Sequence, residues 1–415
     1  MLLSTLLAAF AVGSVTAAPS TKRSVNFAWG SEPVRGLNLG GWLVLEPWIT
    51  PSLFQSQDQS LGIIDELTLS KKLGNTALNV LKPHWDSWVT LADFQKISGA
   101  GFNTVRIPVG YWAYATYDGE PYTQGQAEYI DKAIEWARQT DLKVMIDLHG
   151  APLSQNGFDN SGQKMATPGW QGGDSVSRTL EALNTISTKY AQAQYQDVVS
   201  SIQLLNEPLS SALNFDSIKD FYRSGYDQVR KVSDTPVVIH DGFITPSTWN
   251  GFLSTSDNGA FNVVVDHHEY QVFSQDTIKL QPWEHRQLVC NNVGSYSSNS
   301  DKWVMVSEWT AAMTDCAPAL NGYGVGARYD NSYPDSSYVG SCVGKCNVLE
   351  WTQTMKDDTR GYIEAQISTF ESHTKGWVFW NFKTESAHEW DAFALLDAGI
   401  FPQPLTDQKF SSICS

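Results

Sequence analysis

Lys143-Val144-Met145-Ile146-Asp147-Leu148-His149 is an apolar run that ends in polar residues, and the same design recurs along the chain. It is met at Val34-Arg35-Gly36-Leu37-Asn38, Thr104-Val105-Arg106-Ile107-Pro108 and Ser201-Ile202-Gln203-Leu204-Leu205-Asn206-Glu207. It returns at Val237-Val238-Ile239-His240-Asp241, Val263-Val264-Val265-Asp266-His267-His268, Trp303-Val304-Met305-Val306-Ser307-Glu308 and Trp377-Val378-Phe379-Trp380-Asn381, which makes eight. Between these runs, Tyr129 to Arg138, Val176 to Tyr190, Ile218 to Val232 and Tyr362 to His373 carry apolar residues at helical spacing. Buried strands alternating with amphipathic helices mean a parallel sheet covered by helices. No Gly-x-Gly-x-x-Gly follows an early strand, as an open doubly wound dinucleotide fold would have. The expected fold is α/β, a single (β/α)8 TIM barrel with loop insertions at its C-terminal face. Active sites on such barrels lie at the C-terminal ends of the strands, so Arg106, His149, Asn206, Glu207, His268 and Glu308 are expected on one rim.

The rest of the chain agrees with one large folded unit. Of 415 residues, 42% are hydrophobic and 17% charged, which excludes general disorder. No charge block, Pro-rich linker or short repeat divides residues 24–415, so they are read as one catalytic barrel domain. A net charge of −16 would repel a phosphate backbone or an anionic membrane, and nucleic acid is excluded as a partner. Sixteen tryptophans are more than a core needs and suggest surfaces that stack on something flat, such as a sugar ring.

At the N-terminus an apolar run from Leu2 to Val12 leads into small residues ending at Ala17-Ala18. That is the pattern of a secretory signal peptide over 1–18, too short for a membrane-spanning helix. Lys22-Arg23 reads as a dibasic processing site that would end a propeptide at 19–23. The mature protein is therefore expected outside the cell, secreted or wall-associated, with no membrane anchor. Five cysteines, Cys290, Cys316, Cys342, Cys346 and Cys414, all fall in the last third, where an exported chain can oxidise them. Spacing alone leaves the pairing open. Cys342 and Cys346 lack a second pair at zinc spacing, so no metal is expected.

Two carboxylates carry the chemistry. Glu207, in Asn206-Glu207-Pro208, and Glu308, in Ser307-Glu308-Trp309, each end a strongly apolar strand, where a charge is costly unless partnered. Two carboxyls facing each other across a cleft are the minimum equipment for glycoside hydrolysis, one protonating the leaving oxygen and one attacking the anomeric carbon.

Together with Arg106-Ile107-Pro108, Asp147-Leu148-His149-Gly150, His268-Glu269-Tyr270 and Trp380-Asn381, these motifs make the chain resemble glycoside hydrolase family 5. The opening from Arg35 to Trp48 and the stretch Ala327-Arg328-Tyr329 resemble its fungal exo-β-1,3-glucanases more narrowly. The resemblance spans residues 30–415 and implies a retaining enzyme that releases glucose from non-reducing ends of β-1,3-glucan, without a cofactor. It implies Glu207 as acid/base with a raised pKa in the free enzyme, and Glu308 as a nucleophile kept ionised by hydrogen bonds and Arg106. Asn206 would bind the sugar 2-hydroxyl, His149, His268 and Tyr270 would position sugar and nucleophile, and Trp380 would lie under the ring. By the same resemblance Glu46 binds the terminal sugar, Asp159 and Asn160 wall the pocket, and Phe158 and Phe273 clamp the next glucose. Trp48 departs from the tyrosine more common at its position.

The implied disulfides are Cys290–Cys414 and Cys316–Cys342. Cys346 is a departure that competes for Cys316, and either choice leaves one thiol over. A monomer is expected, with transfer to other hydroxyls as a side activity. The alternatives are the same chemistry on another linkage, such as β-1,6-glucan or aryl and alkyl glucosides, or a glucan-binding wall protein without turnover.

Overall fold

Each of the eight apolar runs forms a strand in a computed structural model, which describes residues 25–297 and 299–410. The expected signal peptide and propeptide, 1–23, and Cys414 lie outside the described residues. The strands are β1 (Val34–Asn38), β2 (Thr104–Gly110), β3 (Lys143–Gly150), β4 (Val199–Gln203), β5 (Val237–His240), β6 (Val263–Glu269), β7 (Trp303–Trp309) and β8 (Gly376–Phe379). Each pairs in parallel with the next, and β8 pairs with β1 to close the barrel. No helix among the described residues is long and apolar enough to cross a membrane.

The pleat sorts each strand into two faces. In β3, Val144, Ile146 and Leu148 join the large core under the helices, while Met145 joins a separate cluster inside the barrel. That inner cluster takes Val34, Met145, Val238, Val264, Met305 and Val378 from six strands, and Phe27 packs with them. Above this apolar floor the inward positions turn polar, with Arg106, Asp147, Gln203, Asp266 and Ser307 all buried. The helical spacings are equally well realised: the expected 218–232 segment is the helix Phe215–Val232. Its N-cap Asn214 accepts from the Ser217 amide, and Ile218, Phe221, Tyr222, Gly225, Tyr226 and Val229 form its buried face. Gly225 is needed there because a Cβ would come within 2.7 Å of Leu183 and 3.1 Å of Leu204.

Two strand ends depart from regular geometry, and each carries one of the carboxylates. The fourth run was expected to stay extended to Glu207, but β4 stops at Gln203 and Glu207 has φ +46°. On β7, His267 pairs with Val306 and His268 with Glu308, so Ser307 is passed over. Strict alternation would put Glu308 on the outward face with Val306; the one-residue shift turns it into the lumen.

The tryptophan excess has a different use from the one expected. Trp42, Trp85, Trp112, Trp170, Trp249, Trp309, Trp377 and Trp390 are fully buried core residues. Several satisfy their indole N–H inside the core, as Trp42 does on the Trp85 carbonyl, Trp112 on Glu66 and Trp170 on Thr179.

Cys316 and Cys342 form a disulfide, and among the described residues Cys346 is the free thiol. Cys290 is also disulfide-bonded, and its expected partner Cys414 lies outside the described residues.

Candidate active site

Arg106 reaches up the lumen from β2 and organises the rim. It is fully buried, and its guanidinium donates at 2.8 Å to each of Glu308, Asn206, Asn38 and Gln203, with Asp147 at 3.0 Å. So many acceptors are what a buried cation requires, and they leave it no donor for a ligand. Arg106 therefore sets the positions of Glu308 and Asn206 from beneath. Glu308 takes a second hydrogen bond at its other oxygen from the Tyr270 hydroxyl, 2.8 Å.

Glu207 is held from the opposite side. His268 Nδ1 donates to its Oε1 at 2.7 Å, and Asn160 and Asn156 amides donate to Oε2 at 3.0 and 3.3 Å. The same His268 Nδ1 lies 3.4 Å from Glu308 Oε2, so these two carboxylate oxygens are no more than about 6 Å apart. The other ring nitrogen of His268 faces Asp266 at 3.1 Å, and Gln203 and Ser307 hydrogen-bond that same Asp266 oxygen.

The charges are distributed differently from the expectation of a raised Glu207. Burial would raise its carboxyl, but the hydrogen bond and charge of His268, with His240 and Asn160, hold it down to about 2. His268 loses by burial and gains more from Glu308, Asp266 and Glu207, so its pKa stands well above the usual imidazole value. Burial raises Glu308, His268 and Arg106 oppose the rise, and the charge on Glu207 adds to it. These charges favour the protonated imidazole of His268, one hydrogen bond from an ionised Glu207.

Glu207, His240 and His268 also place one ligand atom each within 4.8 Å, as a metal site would. His240 Nδ1 accepts from the Gly242 amide, so a neutral ring carries its proton on Nε2 and offers no lone pair there. Burial drives His240 down to about 4, which keeps it neutral.

The remaining expected residues surround this centre. His149 is fixed by Asp147 at 2.6 Å and stacks on Trp380, with ring centroids 5.5 Å apart. Glu46 is buried and accepts from Trp48 Nε1 at 2.9 Å. Burial pushes Glu46 well above the ordinary carboxylate range, and the charges of Asp159, Glu308 and Glu207 act on it in the same direction. Burial lifts Asp159 to about 6 against the pull of Lys164. Phe158 and Phe273 are 44% and 46% exposed, and Phe273 packs on Tyr270 at 5.6 Å. Rigid groups bearing unspent acceptors, a flat ring wall and two half-exposed phenyl rings suit a neutral, hydroxyl-rich ligand.

Sequence reasoning passed over Gln203, Asp266, Asn156 and Ser307. Two of them carried a signal: in a pleated strand Asp266 must share a face with His268, and Gln203 lies beside Ile202 at an inward position.

Comparison with known proteins agrees with this geometry. The family model Cellulase (glycosyl hydrolase family 5) matches residues 72–337. The chain is 47% identical to a glucan 1,3-beta-glucosidase of Blumeria graminis, covering 99% of this chain and 96% of that one. It is 44% identical to one from Candida oleophila, with 97% of each covered, and 46% identical to glucan 1,3-beta-glucosidase 2 of Wickerhamomyces anomalus, covering 95% and 93%. Among solved structures, rutinosidase from Aspergillus niger shares the fold, with a TM-score of 0.72 at 20% identity over 91% of this chain and 99% of that one. A closed eight-stranded barrel, two carboxylates on its rim and these relationships lead to one assignment: the chain belongs to glycosyl hydrolase family 5.

Proposed function

We propose that this protein is a retaining exo-β-1,3-glucanase that releases glucose from the non-reducing ends of β-1,3-glucan by double displacement. The observation that carries the reading is the pair Glu207 and Glu308, bridged by His268 with their nearest oxygens within about 6 Å. A single-displacement enzyme needs roughly 6.5–9.5 Å between carboxyls to seat a water, whereas direct attack by one carboxylate needs about 5–5.5 Å. The glucan 1,3-beta-glucosidase name of the relatives supports the linkage.

Glu308 attacks the anomeric carbon. Arg106 at one oxygen and Tyr270 at the other aim it, and the attacking carboxylate needs no water between it and the sugar. The proton for the leaving oxygen passes from His268 to Glu207 across their 2.7 Å hydrogen bond and on to that oxygen, so that His268 is left neutral and Glu207 ionised. Once Glu308 is esterified its negative charge is gone, so Glu207 can act as base on an incoming water, and the two inversions give net retention. A sugar hydroxyl that replaces that water gives transglycosylation.

Asn206, locked by Arg106, would meet the sugar 2-hydroxyl, and Trp380, backed by His149, would lie under the ring. Glu46, Asp159 and Asn160 would close the pocket around the terminal glucose, and Phe158 and Phe273 would hold the next unit. The chemistry needs no cofactor or metal. The N-terminal sequence supports secretion.

The test is proton NMR of the mature protein with a linear β-1,3-glucan. β-Glucose appearing first and alone is the expected result. Early α-glucose would overturn double displacement, a ladder of oligosaccharides would overturn exo action, and no product would point to another linkage or to a binding role.

A further inference from the structure

An asparagine followed by glycine can modify itself, because a residue without a Cβ lets its amide nitrogen approach the asparagine side-chain carbon. The pair occurs four times in this chain, at Asn156-Gly157, Asn250-Gly251, Asn258-Gly259 and Asn321-Gly322. The glycine N–H must give up its proton and its nitrogen must turn toward the asparagine Cγ. A hydrogen bond at either group opposes that.

Three of the four pairs are locked at both groups. Gly157 N–H donates to Ser154 Oγ at 2.7 Å, while the Asn156 amide donates to Asn160 and Glu207 and its oxygen accepts from the Phe158 amide. Gly251 N–H donates to Asp301 at 2.7 Å, and Asn250 donates to the Asn299 carbonyl and accepts from the Asp301 amide. Gly322 N–H donates to the Ala319 carbonyl at 2.9 Å, and Asn321 donates to Asp315 and to the Gly326 carbonyl and accepts from Arg328. The lock on Asn156 protects the reaction itself, since a carboxylate in its place would stand against Glu207.

Asn258-Gly259 is built differently. The two residues form a tight turn shortly before β6, with φ +54° and +71°, closed by the Ala260 N–H on the Asp257 carbonyl at 3.1 Å. Both are exposed, and among the described residues no hydrogen bond reaches the Asn258 side chain or the Gly259 N–H. A Cβ added at Gly259 would meet nothing within 4 Å, so the turn has room to reorient. The left-handed backbone is unfavourable for any residue but glycine, so Asn258 loses little by leaving it. The flank stays fixed meanwhile, because the Asp257 carboxylate accepts from the Leu253 amide and from Arg223.

We propose that Asn258 is a site of spontaneous deamidation in the folded protein. The Gly259 amide nitrogen gives its proton to solvent and bonds to Asn258 Cγ. The bond from Cγ to the side-chain nitrogen breaks, and that nitrogen leaves as ammonia with a proton taken back from water. Water then opens the resulting five-membered imide at either carbonyl, which leaves aspartate or a β-linked isoaspartate. One water is consumed, one ammonia is released, and nothing is oxidised or reduced. Each event adds one negative charge at the N-terminal end of the barrel, opposite the rim that carries Glu207 and Glu308, so turnover is kept.

The experiment holds the purified folded protein at near-neutral pH in heavy-oxygen water, with the same chain unfolded in urea alongside, and reads each Asn-Gly peptide by mass spectrometry. In the folded protein the Asn258 peptide should take up one solvent oxygen and divide into aspartate and isoaspartate forms. It should do so at least about tenfold faster than the other three, which must first break several hydrogen bonds. In urea all four should react at similar rates. Asn258→Gly, which suits the left-handed backbone, should abolish the acidic form that ion exchange separates. That acidic form should hydrolyse an aryl glucoside within about twofold of the parent, as expected of a change far from the rim. An Asn258 peptide that stays unchanged in the folded protein while the urea-unfolded chain reacts would overturn the proposal, as would equal rates at all four folded sites. Lost turnover in the acidic form would overturn the separation from catalysis.

Discussion

His268 Nδ1 stands 2.7 Å from Glu207 Oε1 while its Nε2 stands 3.1 Å from Asp266 Oδ2. A ring with a carboxylate at each nitrogen is stabilised as the cation, and a cation beside Glu207 lowers that carboxyl in turn. On the proposed mechanism, this imidazole is the store of the acid proton. Replacing His268 with Asn removes both the store and the charge, so Glu207 should rise from about 2 toward the ordinary carboxylate range. Turnover of an unactivated glucan should fall by roughly 10²–10³-fold, and that of a dinitrophenyl glucoside, whose leaving group needs no proton, by less than about tenfold. The kcat/KM profiles against pH for the two substrates check this. Equal losses with unmoved profiles would exclude the proton-store role.

If Glu308 is the nucleophile, Glu308→Gln should abolish turnover, with a loss on the order of 10³-fold or more, because among the described residues no other group is placed to attack. Glu207→Ala should be comparably slow on glucan. With a dinitrophenyl glucoside, however, added azide should restore its rate and yield β-glucosyl azide, since that small anion needs no base to open the glycosyl ester. Product NMR distinguishes the roles: an α-azide would exchange the direct and covalent assignments.

Trp48 donates to Glu46 at 2.9 Å, and this bond holds down a carboxyl that burial has already raised. In Trp48→Phe the donor is lost and Glu46 should rise further. If Glu46 orients the terminal glucose, KM for small glucosides should increase about tenfold, the equivalent of ~1.4 kcal/mol, with kcat little changed. Steady-state kinetics at several pH values measures it, and a fall in kcat alone would place Trp48 in the chemistry instead.

The barrel was legible because its strands announce themselves twice, by buried apolar runs and by polar endings, and all eight runs form strands. Glu207 and Glu308 were legible for the same reason, as charges at the ends of apolar strands. What their neighbours do to them was not. The left-handed backbone at Glu207 and the skipped Ser307 are local departures from alternation that no periodicity encodes. The low pKa of Glu207 depends on Asp266 across the lumen, acting through His268, and that relationship exists only after the barrel closes. Tryptophan count misled because composition does not say which rings face inward; Trp309 and Trp377 meet at 5.3 Å in the core.

The loop between β7 and the helix Gln353–His373 is tied by Cys316–Cys342, 26 residues apart. In the chain-entropy account such a closure is worth about 3.5 kcal/mol. The double variant Cys316→Ser, Cys342→Ser should lower the denaturation midpoint accordingly. Urea unfolding checks the size of the effect, and no change would mean that the loop's packing alone holds it.

Stability should fall as the solution is made alkaline. Glu66 is buried between the Leu45 amide and Trp112 Nε1, and Glu389 is buried with only Lys345 and its own backbone amide to oppose the rise; burial raises both to about 8 from 4.5. A carboxyl whose folded value is raised binds more protons folded than unfolded. Its stabilising contribution is complete below 4.5 and is lost as pH climbs through 8. Glu207 acts with the opposite sign: lowered to about 2, it stabilises above 4.5, and that contribution is lost as pH falls toward 2. His84, His240 and His285, lowered by burial to about 4, also lose their contribution as pH falls from 6.5 to 4, so the decline owed to Glu66 and Glu389 is read on the alkaline side, above pH 6.5. Glu389→Gln takes one raised carboxyl out without cutting a hydrogen bond, so it should flatten the alkaline decline and leave the acid limb unchanged. Melting temperatures from pH 3 to 9 decide it, and a parent profile that rises between pH 6.5 and 8 would mean that the burial of Glu66 and Glu389 is relieved by water.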